Sequence, residues 1–293
     1  MRPAHNPALT IGRASRSSAT TFASPIRAAF ARGFDSGYHP DVGNGTQEPH
    51  NPTTIAIKDL SVSYGRQWAL QNLTGAFAAG TMTAVVGPNG AGKSTLIKAL
   101  AGIVRTRRGA IQGISRRRRL AYLPQQSALD RGFPVNLGEL VALGGWRHFG
   151  AFRRAPSEIS QRAAQSIATV GLDGLAARPI ADLSVGQFQR ALFARLLMQD
   201  ADVLLLDEPL AAIDERTSED LLQLLRRWHD EGRTIIAVLH DLTQVRAHFP
   251  MSLLLARRSI GWGETESVLT TENLARARVM LEREADTTRD IEA

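Results

Sequence analysis

The chain has 293 residues, 43% of them hydrophobic, and a formal net charge of +7. That is enough material for one large or two modest domains with a real core. The absence of cysteine excludes a disulfide scaffold, a thiolate metal site and a cysteine nucleophile. No apolar run approaches the ~18 residues needed to cross a bilayer, so the sequence reads as soluble or peripheral to a membrane.

Residues 1–52 are rich in Ser, Ala, Pro, Gly and Asn, with no acid before Asp35 and no persistent helix or strand period. They read as a disordered N-terminal extension or an over-long start; their Arg-rich, acid-poor composition is also that of an organelle transit peptide. From residue 53 the pattern becomes regular. Strands are expected over 54–58, 60–64, 74–78 and 82–86, then a helix over 95–103 and a short strand over 120–123. Helices follow over 137–143, 157–170 and 186–197. A strand over 203–206, a helix over 218–231 and strands over 234–239 and 251–256 complete the reading, the last of these taken as the final strand. Continuous apolar strands separated by helices indicate an α/β fold whose sheet is mostly parallel and covered on both faces. The helical block over about 135–200 reads as an inserted subdomain, 53–260 as the folded domain and 261–293 as a short tail. Arg105, Arg107, Arg108 and residues 116–119 form an arginine run uninterrupted by any acid. Such a run suits an anionic membrane surface or nucleic acid, or simply a solvated turn; no aromatics are interleaved to stack on single strands.

Two motifs carry chemistry. Gly87-Pro88-Asn89-Gly90-Ala91-Gly92-Lys93-Ser94-Thr95 fits G-x-x-x-x-G-K-[ST], the loop that wraps the phosphates of a nucleoside triphosphate. Its glycines allow successive N–H groups to turn inward, Lys93 can reach the β and γ phosphates, and the Ser94 hydroxyl can ligate Mg²⁺. The second is Val203-Leu204-Leu205-Leu206-Asp207-Glu208-Pro209, a buried strand ending in two acids. Asp207 is expected in the Mg²⁺ shell, and Glu208 is expected to orient and deprotonate an attacking water.

With these in hand, Leu183-Ser184-Val185-Gly186-Gln187-Phe188-Gln189-Arg190 resembles the signature motif of ATP-binding-cassette (ABC) ATPases, placed just ahead of the acidic strand as in that family. The resemblance implies a P-loop NTPase core of mostly parallel sheet with an antiparallel β portion, and a helical subdomain carrying the signature. It also implies roles residue by residue. Tyr64 stacks on adenine. Gln125 contacts Mg²⁺ and the attacking water and senses the transporter. Ser184, Gly186 and Gln187 bind the γ-phosphate of ATP held by a second copy, Asp214 crosses the dimer interface, and His240 contacts the γ-phosphate. A single cassette then implies a homodimer with ATP and Mg²⁺. Val185 stands where the family more often has Gly; it is expected to keep ordinary dihedrals and leave its N–H available.

Ser127-Ala128-Leu129-Asp130-Arg131-Gly132-Phe133-Pro134-Val135, with its Phe-Pro shortly after Gln125, is similar to the ATPases of zinc, manganese and iron-chelate uptake. That likeness implies an ATPase powering metal import from the cytoplasmic face of the plasma (inner) membrane. Its partners would be integral-membrane permease subunits and, through them, a substrate-binding protein; the metal would not touch this chain. Arg131, Arg147, Arg153 and Arg154 are expected to face the permease or lipid headgroups. The alternatives are an exporter ATPase and a cassette ATPase of assembly or nucleic acid. For a nucleic-acid role the arginine run is the only support, and only about 90 residues separate Lys93 from Ser184, too few for the long coiled coil of chromosome-associated members. No Asn-Lys-x-Asp guanine motif favours a GTPase. With so short a tail, no appended regulatory domain is expected.

Overall fold

The computed structural model describes residues 54–114, 120–126, 129–146 and 157–292. The expected extension over 1–52, residues 116–119 of the arginine run, Ser127, Ala128, Arg147, Arg153 and Arg154 lie outside the described residues.

Two sheets organise the described chain. β1 (Ile55–Tyr64), β2 (Gln67–Phe77) and β4 (Arg108–Gln112) form an antiparallel sheet in the order β2-β1-β4. The two strands expected over 54–64 are one strand with an irregularity at Asp59, whose φ is 48°. Thr74 holds that kink: its hydroxyl accepts from the Asp59 N–H at 2.9 Å and donates to the Asp59 carboxylate at 3.0 Å. The second sheet has six strands in the order β5-β6-β7-β3-β8-β9. These are β3 (Met82–Val86), β5 (Leu120–Leu123), β6 (Val203–Asp207), β7 (Thr234–Val238), β8 (Met251–Ala256) and β9 (Arg258–Glu264). Every residue of β3, β6 and β7 is buried, as strands covered on both faces require. All pairings are parallel except the β8–β9 hairpin.

One core joins the two sheets. Ile57, Leu60 and Phe77 from the first meet Leu205, Val238 and Leu253 from the second, with Leu96, Ile97 and Leu100 of α1 (Lys93–Leu100) among them. Anchoring α1 on both sides fixes the loop that precedes it. α2 (Leu137–Ala142), α3 (Ser157–Thr169) and α4 (Val185–Gln199) pack on one another as the inserted helical block. α5 (Glu215–Asp230), α6 (Leu242–His248), α7 (Thr265–Val268) and α8 (Thr271–Glu292) follow in chain order.

β4, β9, α6, α7 and α8 are additions to the sequence reading. β8 is therefore not the final strand, and β9 runs straight across residue 260, where the folded domain was expected to end. β9 also seams the sheets together. Trp262 packs on Phe77 with ring centroids 4.7 Å apart, and a Cβ on Gly75 would sit 2.4 Å from the Trp262 ring. Gly75 thus makes room for an indole that buries the edge of the first sheet.

Candidate active site

The sheet order explains which residues meet. β5, β6, β7 and β3 are successive parallel neighbours, so the segments leaving their carboxyl ends lie side by side at one edge, the place where open α/β sheets bind ligands. Those segments carry Gln125, Asp207 and Glu208, His240, and the glycine loop respectively.

The loop begins where β3 ends. Gly87 has φ 149°, and a Cβ there would lie 2.1 Å from the Leu255 carbonyl oxygen; Gly92 has φ 93°, and a Cβ would lie 2.3 Å from that of Ala69. Only glycine fits either position. The loop is also tied from behind, because the Arg257 N–H donates to the Ala91 carbonyl at 2.8 Å. Asn89 and Gly90 are exposed, Thr95 is half-buried, and Gly92 caps the N-terminus of α1, whose dipole and free N–H groups favour an anion. Lys93 is 5% exposed and donates to the carbonyls of Gly87 (2.9 Å) and Pro88 (3.0 Å). Burial pulls its pKa below the ordinary lysine value, with the carboxylates of Glu208 and Asp207 opposing.

The acidic end of β6 faces this loop. Asp207 is 1% exposed; its Oδ1 accepts from the Ser94 hydroxyl at 2.8 Å, and its Oδ2 is buried with no hydrogen-bond partner. Burial pushes this carboxyl up from its ordinary pKa, against the lowering effect of the Ser94 bond. Glu208 has φ 53°, a left-handed backbone costing about 1–3 kcal/mol in a non-glycine residue and typical of functional turns. Its Oε2 accepts from Gln125 Nε2 and its Oε1 meets His240 Nε2, both at 2.7 Å. An ionised carboxylate only accepts, so the arrangement selects the tautomer with the proton on His240 Nε2. Tyr64 ends β1 on the other sheet and is 52% exposed.

The signature residues form a second cluster. Ser184 caps α4: its hydroxyl accepts from the Gln187 N–H (3.1 Å), while the Gln187 side chain accepts from the Ser184 N–H (3.0 Å). Val185 opens α4 and is absent from the non-glycine residues of positive φ, so the expectation of ordinary dihedrals is met; as the first helical residue its N–H has no intrahelical acceptor. Gly186 faces Asp214, the N-cap of α5, whose carboxylate accepts from the Thr217 N–H at 2.9 Å. That bond, with the Thr217 hydroxyl next, holds the exposed Asp214 carboxyl below the ordinary carboxylate range. The concavity lined by Ser184, Gly186, Gln187 and Asp214 includes no residue of the glycine loop. The chain therefore brings Ser94, Lys93, Gln125, Asp207, Glu208 and His240 together, and the signature helix touches their flanks through Gln126 Nε2, which donates to the Val185 carbonyl at 3.4 Å.

Some functional side chains were not legible beforehand. Arg190 reaches Thr217 (3.3 Å) and Asp220 (2.9 Å), bracing the turn that carries Asp214. α5 starts at Glu215 rather than 218 because Asp214 caps it; the Asp214-x-x-Thr217 spacing was the available signal. Arg131 is half-buried, and its guanidinium is engaged within the chain: it donates to the Leu183 carbonyl and lies 5.1 Å over the Phe188 ring.

The family model for ABC transporters matches residues 70–211. The chain is 35% identical to the manganese transport system ATP-binding protein MntB of Listeria monocytogenes, over 75% of this chain and 94% of that one. It is 36% identical to the zinc transport system ATP-binding protein TroB of Treponema pallidum, over 76% and 86%. Among solved structures, the ATP-binding subunit of an ABC transporter superposes with a TM-score of 0.65 at 25% identity, covering 78% of this chain and all of the other (100%). An ABC transporter in an inward-facing conformation superposes at 0.69 with 31% identity, over 76% and 88%. With a nucleotide loop, a buried acidic strand end and a capped signature helix in one fold, the chain belongs to the ABC transporter family, as one of its ATPases.

Proposed function

We propose that this chain is the ATP-hydrolysing subunit of a metal-ion import system, working as a homodimer on membrane permease subunits at the cytoplasmic face of the inner membrane. One observation carries the catalytic part: the Glu208 carboxylate is held between Gln125 and His240 at the strand end facing the glycine loop. The metal cargo is supported by relatives named for manganese and zinc transport and by the Phe133-Pro134 segment after Gln125. No described helix is long and apolar enough to cross a membrane; the path through it is assigned to separate permease subunits.

The residues suggest the sequence of events. Lys93 exchanges its two loop carbonyls for the β and γ phosphates, a change favoured because a buried ammonium gains a full anionic partner. Ser94 and Asp207 fit a hard cation: the donors are all oxygen, and the buried Asp207 Oδ2 awaits a partner. Bound Mg²⁺ there supplies charge neutralisation of the phosphates. Glu208, released from Gln125 or His240, takes the proton of the attacking water, and His240 donates to the γ-phosphate. The signature concavity is lined without any residue of the glycine loop, which supports a reading in which a second copy presents its Ser184–Gln187 helix end to the nucleotide. Gln125, which follows β5 and holds the Glu208 carboxylate, couples that closure to transport.

Affinity purification of the tagged chain from detergent-solubilised membranes, with mass spectrometry, tests this reading. A multi-spanning permease at near-equal stoichiometry is expected. Recovery with ribosomes or DNA, or alone, would leave only the ATPase chemistry.

A further inference from the structure

Gln189 lies in the first turns of α4 but turns away from the signature surface and is 2% exposed. Its side-chain nitrogen donates to the Pro209 carbonyl at 2.5 Å, while its Oε1 is buried with no hydrogen-bond partner. The assignment follows from chemistry: a carbonyl can only accept, so the amide nitrogen must face Pro209. A buried amide with one half unpaired is unfavourable beside an apolar residue of equal volume, unless its remaining bond serves a purpose.

That bond lands on a consequential atom. Pro209 directly follows Glu208, whose left-handed backbone (φ 53°) aims its carboxylate at Gln125 and His240. Within the turn, the Ala211 N–H closes on the Glu208 carbonyl at 3.3 Å. The Gln189 bond ties that turn to the helix whose N-terminus carries Ser184 and Gly186. A strained turn persists only where its surroundings over-determine it, and Gln189 is a side chain from another element that bonds to it directly.

We propose that Gln189 is a positioning residue that transmits the placement of α4 to the catalytic carboxylate of the same protomer. The inference rests on the two-copy reading above. The α4 end of one protomer meets the partner's ATP, and Gln189 passes any shift of that helix to its own Glu208. Each nucleotide then helps aim the carboxylate that acts on the other, a physical basis for coupling the two sites.

The test uses Gln189→Met, which keeps volume and removes the donor. Steady-state kinetics, ATP affinity and ATP-dependent dimerisation are measured, the last in a Glu208→Gln background. The expected result is kcat reduced about 10- to 100-fold, as for an ångström-scale misplacement of a reacting group. KM and ATP affinity should stay unchanged, and dimerisation should remain intact. Wild-type kcat would overturn the proposal. So would loss of dimerisation together with kcat, because Gln189 would then support α4 rather than Glu208. If the Glu208→Gln protein itself fails to dimerise, the two-copy reading falls, while the kcat-against-KM split still decides whether the tether acts on Glu208. Gln189→Asn, whose amide is one methylene too short to reach Pro209, serves if the Met variant does not fold, and the same split is expected.

Discussion

Gly92→Ala is the sharpest small perturbation the site offers. An added Cβ would lie 2.3 Å from the Ala69 carbonyl oxygen and 2.7 Å from Leu70 Cδ2, where ordinary contact begins at 3.4 Å. Relief requires the loop to move by about 1 Å against a β2 backbone that packing does not let yield. The φ of 93° adds about 1–2 kcal/mol for an L-residue in left-handed backbone. A 1 Å displacement of phosphate-binding N–H groups costs about 10²-fold in a well-fitted site. Gly90→Ala is the matched control: its φ is 81°, but the nearest atom to the new Cβ is 3.9 Å away, so it carries the strain without the clash. ATP affinity from a fluorescent-nucleotide titration, with thermal melting alongside, should show Gly92→Ala weaker by about 10²-fold and Gly90→Ala by no more than about tenfold. Equal affinities for the two variants would refute the steric argument.

Three further outcomes follow from particular side chains. Asp207 is buried with a raised pKa, so its folded form favours the proton, and the stability it contributes is lost as pH rises through that value. Asp207→Asn should therefore raise the melting temperature of the nucleotide-free protein at pH 7 by about 2–4 °C per kcal/mol relieved, while abolishing hydrolysis; calorimetry and phosphate release read the two effects. Asp214 has the opposite sign. Its depressed pKa stabilises the fold fully above the ordinary value of 3.8 and loses that contribution as pH falls through its lower folded value. Asp214→Ala should flatten the acid limb of the melting curve, and an unchanged acid limb would count against the Thr217 cap. Arg131→Leu removes the donor to Leu183 and should lower stability by about 1.5–3 kcal/mol in denaturant titration, with ATPase activity falling and membrane recovery unchanged. Loss of membrane recovery with full ATPase activity would instead place Arg131 at the permease or lipid surface.

The legible parts of this chain are those where one physical demand dictates residue type. The phosphate loop needs glycine at Gly87 and Gly92, and the strands buried on both faces need unbroken apolar runs; both stand out in sequence. β9 does not. Its Arg-Ser-Ile-Gly-Trp-Gly-Glu run has two glycines, exposed ends and a partly buried middle, because it packs Trp262 against the first sheet rather than alternating cleanly. α8 was missed because its polar composition gives only a weak apolar stripe. The contacts of Arg131 were not legible either. Its guanidinium finds a backbone carbonyl and an aromatic face, contacts that depend on a fold no local pattern encodes. The left-handed backbone of Glu208 was likewise silent, since glutamate carries no marker for it.

The central claim is that ATP hydrolysis at Glu208 drives metal ions through a permease. The most direct test is reconstitution of the purified chain–permease complex in proteoliposomes, following manganese and zinc accumulation with the wild type and with Glu208→Gln. ATP-dependent accumulation of one of these ions by the wild type, reduced about 10²- to 10⁴-fold by Glu208→Gln with ATP binding retained, is the predicted result. ATP hydrolysis without movement of either ion, or equal accumulation by both proteins, would contradict the account.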